Sequence, residues 1–172
     1  QLVALRLLEL MPAKQAQGLT GIAFAAGGIA TALAAATYSR LLRRSSYRLI
    51  ITAAAALMGI MLAGSALATT AVLLIATFVI ASFVAGSLIP ALGAMVGLEV
   101  PVMIQATVFG VSSSAISIGF GLGPLGAGLI ASAAGVRAGF AVAASVALLT
   151  AVILRFFSRE PLRVRAPIQA AP

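Results

Sequence analysis

Charge is almost absent from long stretches of this chain, and that constrains it more than anything else. Four intervals hold no Asp, Glu, Lys or Arg: Gln15–Ser39, Leu49–Leu98, Val100–Val136 and Ala138–Leu154. They run 25, 50, 37 and 17 residues. A helix needs roughly 20 apolar residues to cross the hydrocarbon core of a bilayer. Only 8% of the 172 residues are charged and 62% are hydrophobic. A soluble domain carries about 25% charged residues, so this chain lacks the polar surface that water demands. Runs such as AAAALMGIML are apolar on every side. That excludes the alternating strands of a membrane barrel, and Ala and Leu favour helix.

The expected fold is all-α and integral to a membrane. The 50-residue interval must hold two spans, and its weakest point is Ala68-Thr69-Thr70. Five spans follow: about 19–38, 48–67, 72–93, 106–131 and 138–157. Gln1–Met11 is apolar but carries Arg6 and Glu9, and as a helix reaches only about 16 Å. It reads as residues 1–11 of a partial span whose start lies upstream. An interfacial helix is the alternative. Residues 158–172 form a basic, proline-containing tail that is expected to be disordered.

Charge placement orients the chain. Arg40, Arg43, Arg44 and Arg48 lie in the connection after the first span. Arg155, Arg159, Arg163 and Arg165 lie at or after the end of the fifth. With five spans these share one side, which the positive-inside rule makes cytoplasmic together with the C-terminus. The expected location is a cell (inner) membrane. Arg6, Lys14 and Arg137 lie on the other side.

Several functions are excluded by what is missing. There is no Asp, His, Cys or Trp, and the three acids are Glu9, Glu99 and Glu160. Metal sites and other cofactors are not expected. General acid–base and nucleophilic groups are nearly missing, so the chain reads as no enzyme. The net charge of +8 sits in small clusters between apolar runs, not on a basic face, so nucleic acid is not an expected partner. The expected partners are the lipid bilayer and a small-molecule solute.

One motif imitates an enzyme. Gly121, Gly123 and Gly126 spell G-x-G-x-x-G. The dinucleotide reading needs a strand before it and an acid about 20 residues later. Here the preceding FGVSSSAISI reads as helix, and the next acid is Glu160. Glycines four apart instead let membrane helices approach closely, and Gly119/Gly123 is the cleanest such pair. Pro124 removes a backbone donor and bends the helix.

The longer spacing is Gly110-x8-Gly119-x3-Gly123-Pro124-x2-Ala127-Gly128. It resembles the antiporter motif of major facilitator superfamily exporters, with Ala127 in place of one glycine. LTGIAFAAGGIATALAAA and LIPALGAMV resemble the eighth span and the end of the tenth. YSRLLRRSSYR lies where the family has its cytoplasmic loop, though the Gly and Asp of that loop's motif are missing. The chain is thus most similar to the C-terminal half of a drug-efflux-like transporter, with about five full spans plus the end of a sixth. The resemblance implies transport of a small solute by alternating access, in the efflux direction, with this chain a partial transporter that needs a missing N-terminal half to work. It also implies cavity-lining positions at Phe78, Ser82 and Phe83, and at Ser112, Ser113 and Ser117. The alternative is a small membrane protein that works as a homodimer or as a non-transporting assembly partner.

Overall fold

The computed structural model describes residues 2–42 and 47–157, with backbone only at 38–42, 47, 95, 98, 99 and 157. Six helices make up this part: α1 (Leu2–Leu10), α2 (Ala13–Leu42), α3 (Tyr47–Leu67), α4 (Ala71–Glu99), α5 (Val102–Ala134) and α6 (Val136–Phe157). No strand occurs among the described residues. Five helices are long and apolar enough to cross a membrane, over Ala13–Thr37, Arg48–Leu67, Ala71–Ala94, Val102–Ala134 and Val136–Phe156. The expected all-α membrane bundle is therefore the observed one. Arg43, Arg44 and the tail 158–172 lie outside the described residues.

The breaks have local causes. Pro12 cannot continue α1, and its carbonyl instead accepts from Gln15 N and Ala16 N as α2 begins. Thr70 caps α4, its hydroxyl accepting from Leu73 N at 3.3 Å. Gly135 separates α5 from α6 at φ 88°, a left-handed conformation that costs a residue with a Cβ. Its N–H bonds Ala131 O at 3.0 Å. Pro90 and Pro124 lie inside α4 and α5, and both helices continue through them.

Contacts between helices fix their directions. Gly27 and Thr31 of α2 face Phe78, Ser82 and Gly86 of α4, so these two helices run parallel. Ser65 of α3 bonds Thr77 of α4, while Ile50 and Ala91 share a cluster nearer the opposite ends. Helices α3 and α4 are therefore antiparallel. Gly59 meets Leu148, and Arg48 donates to the Arg155 carbonyl, so α3 and α6 are antiparallel too. Arg48 and Arg155 thus mark one end of the bundle. Arg6 and Arg137 belong to the other.

The core is built largely of small residues. Ala16, Ala23, Ala66 and Ala68 are buried with Val3, Leu7, Leu74, Val136 and Phe140 at the end away from Arg48. Large apolar side chains such as Ile29, Leu122, Leu129 and Phe156 point outward. Water would make this arrangement costly, because every outward Leu or Ile forgoes burial. Lipid removes that cost, and close packing of small residues then supplies the attraction between helices.

Candidate functional site

Helix α1 is short, yet it is docked in the bundle. Leu7 is fully buried, and Arg6 is only 4% exposed. Arg6 donates to Ala68 O at 3.0 Å and pairs with Glu9 at 2.5 Å. The acceptor lies just beyond the last turn of α3, where carbonyls lack helical partners and a cation is favourable. Val3 and Leu7 of α1 belong to the core cluster.

Two cavities among the described residues bear on the expected positions. One, about 310 Å³, lies among α2, α3 and α4 at the Arg48 end, and Phe83 and Ser87 are among its lining residues. The second, about 240 Å³, lies nearer the opposite end, where Leu2, Phe24, Phe78, Gly123, Pro124 and Phe140 contribute to its wall. Phe24 and Phe78 meet edge to face, with ring centres 5.5 Å apart. This geometry suits aromatic quadrupoles.

The positions expected from sequence separate into groups. Phe78 is brought together with Gly123, Pro124 and Ala127 in the second cavity. Phe83 lines the first. Ser82 is held within the α2–α4 contact: its hydroxyl bonds Phe78 O at 2.9 Å, and its carbonyl accepts from Thr31 Oγ1 at 3.0 Å. Ser112, Ser113 and Ser117 line neither of these two cavities, and Ser113 and Ser117 are exposed on α5. Arg48 is described and bonds Arg155, whereas Arg40 is placed by backbone alone, near the end of α2.

The glycine motif behaves differently from its expected packing role. A Cβ at Gly110, Gly119, Gly123 or Gly128 would meet nothing within 4 Å. No residue of α5 is buried. Within this chain, then, the Gly119/Gly123 pair is not a close-packed face. The reason is that α5 is held chiefly by α6, near their shared turn, where Gly139 approaches Ala127 O. Most of α5 projects away from the other helices.

Close approach occurs elsewhere. A Cβ on Gly86 would come 2.5 Å from Thr31 O, and one on Gly27 would come 2.9 Å from Phe78 and from the Ser82 hydroxyl. Gly59 is equally tight against Leu148. Gly27/Thr31 and Ser82/Gly86 both follow the small-xxx-small spacing, so a signal for this contact was present in the sequence.

A family model described as Major Facilitator Superfamily matches residues 8–171. No curated protein and no solved structure matches the chain.

Proposed function

The chain belongs to the Major Facilitator Superfamily, and from that premise we propose that it forms one half of an alternating-access exporter. Membership carries the general function, which is membrane transport of small solutes. The finer reading is that this bundle rocks against a second six-helix half around a site near the bilayer midplane. The observation that supports it is α5, a 33-residue apolar helix with no buried residue and with open space at its motif glycines. Such a face fits a helix of another half, because glycine allows the closest backbone approach.

On this reading Ser112, Ser113 and Ser117 approach the inter-half interface, and Phe78 and Phe83 bound the solute path. Efflux and the drug-exporter branch rest on the Gly110-to-Gly128 spacing. The Arg48 end faces the cytoplasm of a cell (inner) membrane by the positive-inside rule. None of the three acids lies within the five membrane-crossing windows. A coupling carboxylate, which proton-driven transport needs inside the membrane, would then come from the other half.

Proteoliposomes holding this chain alone test the proposal. With a panel of lipophilic dyes outside and a pH reporter inside, the chain alone is expected to move neither dye nor protons. Dye-dependent proton flux by the purified chain would overturn the half-transporter reading. The absence of cysteine adds a second arm. A Ser113→Cys variant that forms an inter-chain disulfide at high lipid dilution would favour a homodimer instead.

A further inference from the structure

The second cavity is where the whole bundle converges. Every helix gives it a wall residue: Leu2 from α1, Phe24 from α2, Leu62 from α3, Phe78 from α4, Pro124 from α5 and Phe140 from α6. A crevice on the flank of a bundle draws on two neighbouring helices, so this cavity lies inside. Its floor is buried, with Phe140 3% and Val3 5% exposed. Its mouth lies at α2 and α5, where Phe24, Gly123 and Pro124 are exposed.

The wall dictates what can occupy it. No lining residue carries a charge or a polar side chain. A charged guest would lose its hydration there and gain no partner, which is costly. The guest is therefore uncharged. Phenyl rings come from α2, α4 and α6. Phe24 and Phe78 already meet edge to face, with ring centres 5.5 Å apart. The Phe78 ring is seated against Gly27, where a Cβ would come within 2.9 Å of it. This pair is thus set before any ligand arrives, which lowers the cost of binding. A further ring can extend the same edge-to-face geometry, and an aliphatic guest cannot. Size agrees. A dry apolar cavity of about 150 Å³ holds one benzene ring, and this one is about 240 Å³.

We propose that this cavity is a binding site for an uncharged aromatic molecule of one or two rings. Where Phe78 bounds the solute path, the site also names the class of solute. That last step rests on the half-transporter reading; binding by the chain alone does not.

Equilibrium dialysis of indole against nanodiscs that carry the full chain tests the site. The chain has no Trp, so indole fluorescence meets no competing signal. Saturable uptake above that of empty discs is expected. Gly123→Leu puts a side chain into the cavity from a position where a Cβ meets nothing within 4 Å. Such overpacking should weaken binding at least about tenfold. If that variant loses helical circular dichroism, Gly123→Ala takes its place, with a smaller loss. Gly121→Leu, at an equally open position outside the wall, should change nothing. Phe24→Leu keeps the wall apolar and should weaken indole about three- to tenfold by removing a ring contact. Toluene should displace indole, methylcyclohexane should do so several-fold less well, and benzylammonium should not. No saturable uptake would overturn the site, as would equal effects of the Gly123 and Gly121 variants. Methylcyclohexane as effective as toluene would mark a generic apolar cleft that acyl chains fill, and would overturn it too. None of these results touches the half-transporter reading, which the proton-flux assay decides separately.

Discussion

Replacing Gly86 by alanine inserts a methyl group where α2 and α4 come closest. The new Cβ would stand 2.5 Å from Thr31 O, 2.8 Å from Thr31 Cα and 3.0 Å from Thr31 C. All three are backbone atoms of a helix, so no side-chain rotation relieves the clash. Ordinary contact begins near 3.4 Å, so the helices must separate by roughly 0.9 Å, and dispersion between them weakens steeply over such a gap. Separation also stretches the 3.0 Å bond from Thr31 Oγ1 to Ser82 O. Overpacking of this kind costs about 1–3 kcal/mol, and the interhelical hydrogen bond adds about 0.6 kcal/mol. Alanine returns up to about 1 kcal/mol through helix propensity. The net expectation is a loss of about 1–3 kcal/mol. Gly119→Ala is the matched control, because its Cβ meets nothing within 4 Å. It should be neutral or slightly stabilising in the isolated chain. Unfolding by sodium dodecyl sulfate in mixed micelles, followed by circular dichroism, measures both. A neutral Gly86→Ala, or a Gly119→Ala that destabilises equally, would refute the assignment of close packing to α2–α4 rather than to α5.

Three further outcomes are expected. Arg6→Met removes the donor to Ala68 O and the partner of Glu9. A hydrogen bond from a charged group contributes about 1.5–3 kcal/mol, so amide exchange across Leu2–Leu10 should quicken at least about tenfold, as hydrogen–deuterium mass spectrometry would show. Thr77→Val breaks the 2.8 Å bond to Ser65 and should cost about 0.6 kcal/mol. The same mixed-micelle titration checks it, and a cost above about 2 kcal/mol would indicate a larger polar network. Finally, a single cysteine at Arg137 and one at Arg155 should react from opposite faces of a sealed vesicle with a membrane-impermeant maleimide. Labelling of both from one face would contradict α6 as a membrane crossing.

The spans were legible because the chain must satisfy a crude requirement. Backbone polar groups cannot be left bare in hydrocarbon, so long charge-free runs become helices whatever their neighbours. The break at Ala68-Thr69-Thr70 could be read because these residues are weakly apolar and lie near the middle of an interval too long for one span; the Thr70 cap on α4 was seen only in the structure. Boundaries were less legible. Helix α2 begins at Ala13 and α4 runs to Glu99, well beyond the expected spans, because a helix can continue past the hydrocarbon without losing its internal bonds.

What the sequence by itself determined is the number of helices long and apolar enough to cross a membrane, and their helical nature. Each follows from composition along the chain, which needs no knowledge of neighbours. Only the tertiary structure decided which small residues touch. The spacing of Gly27/Thr31, of Ser82/Gly86 and of Gly119/Gly123 is the same, and spans apolar on all sides give no hint of which face turns inward. Packing of α2 on α4 made the first two pairs into contacts and left the third open. It likewise buried Arg6, whose acceptor is 62 residues away in the chain. Contacts at that distance depend on where whole helices come to rest, and local pattern does not encode that.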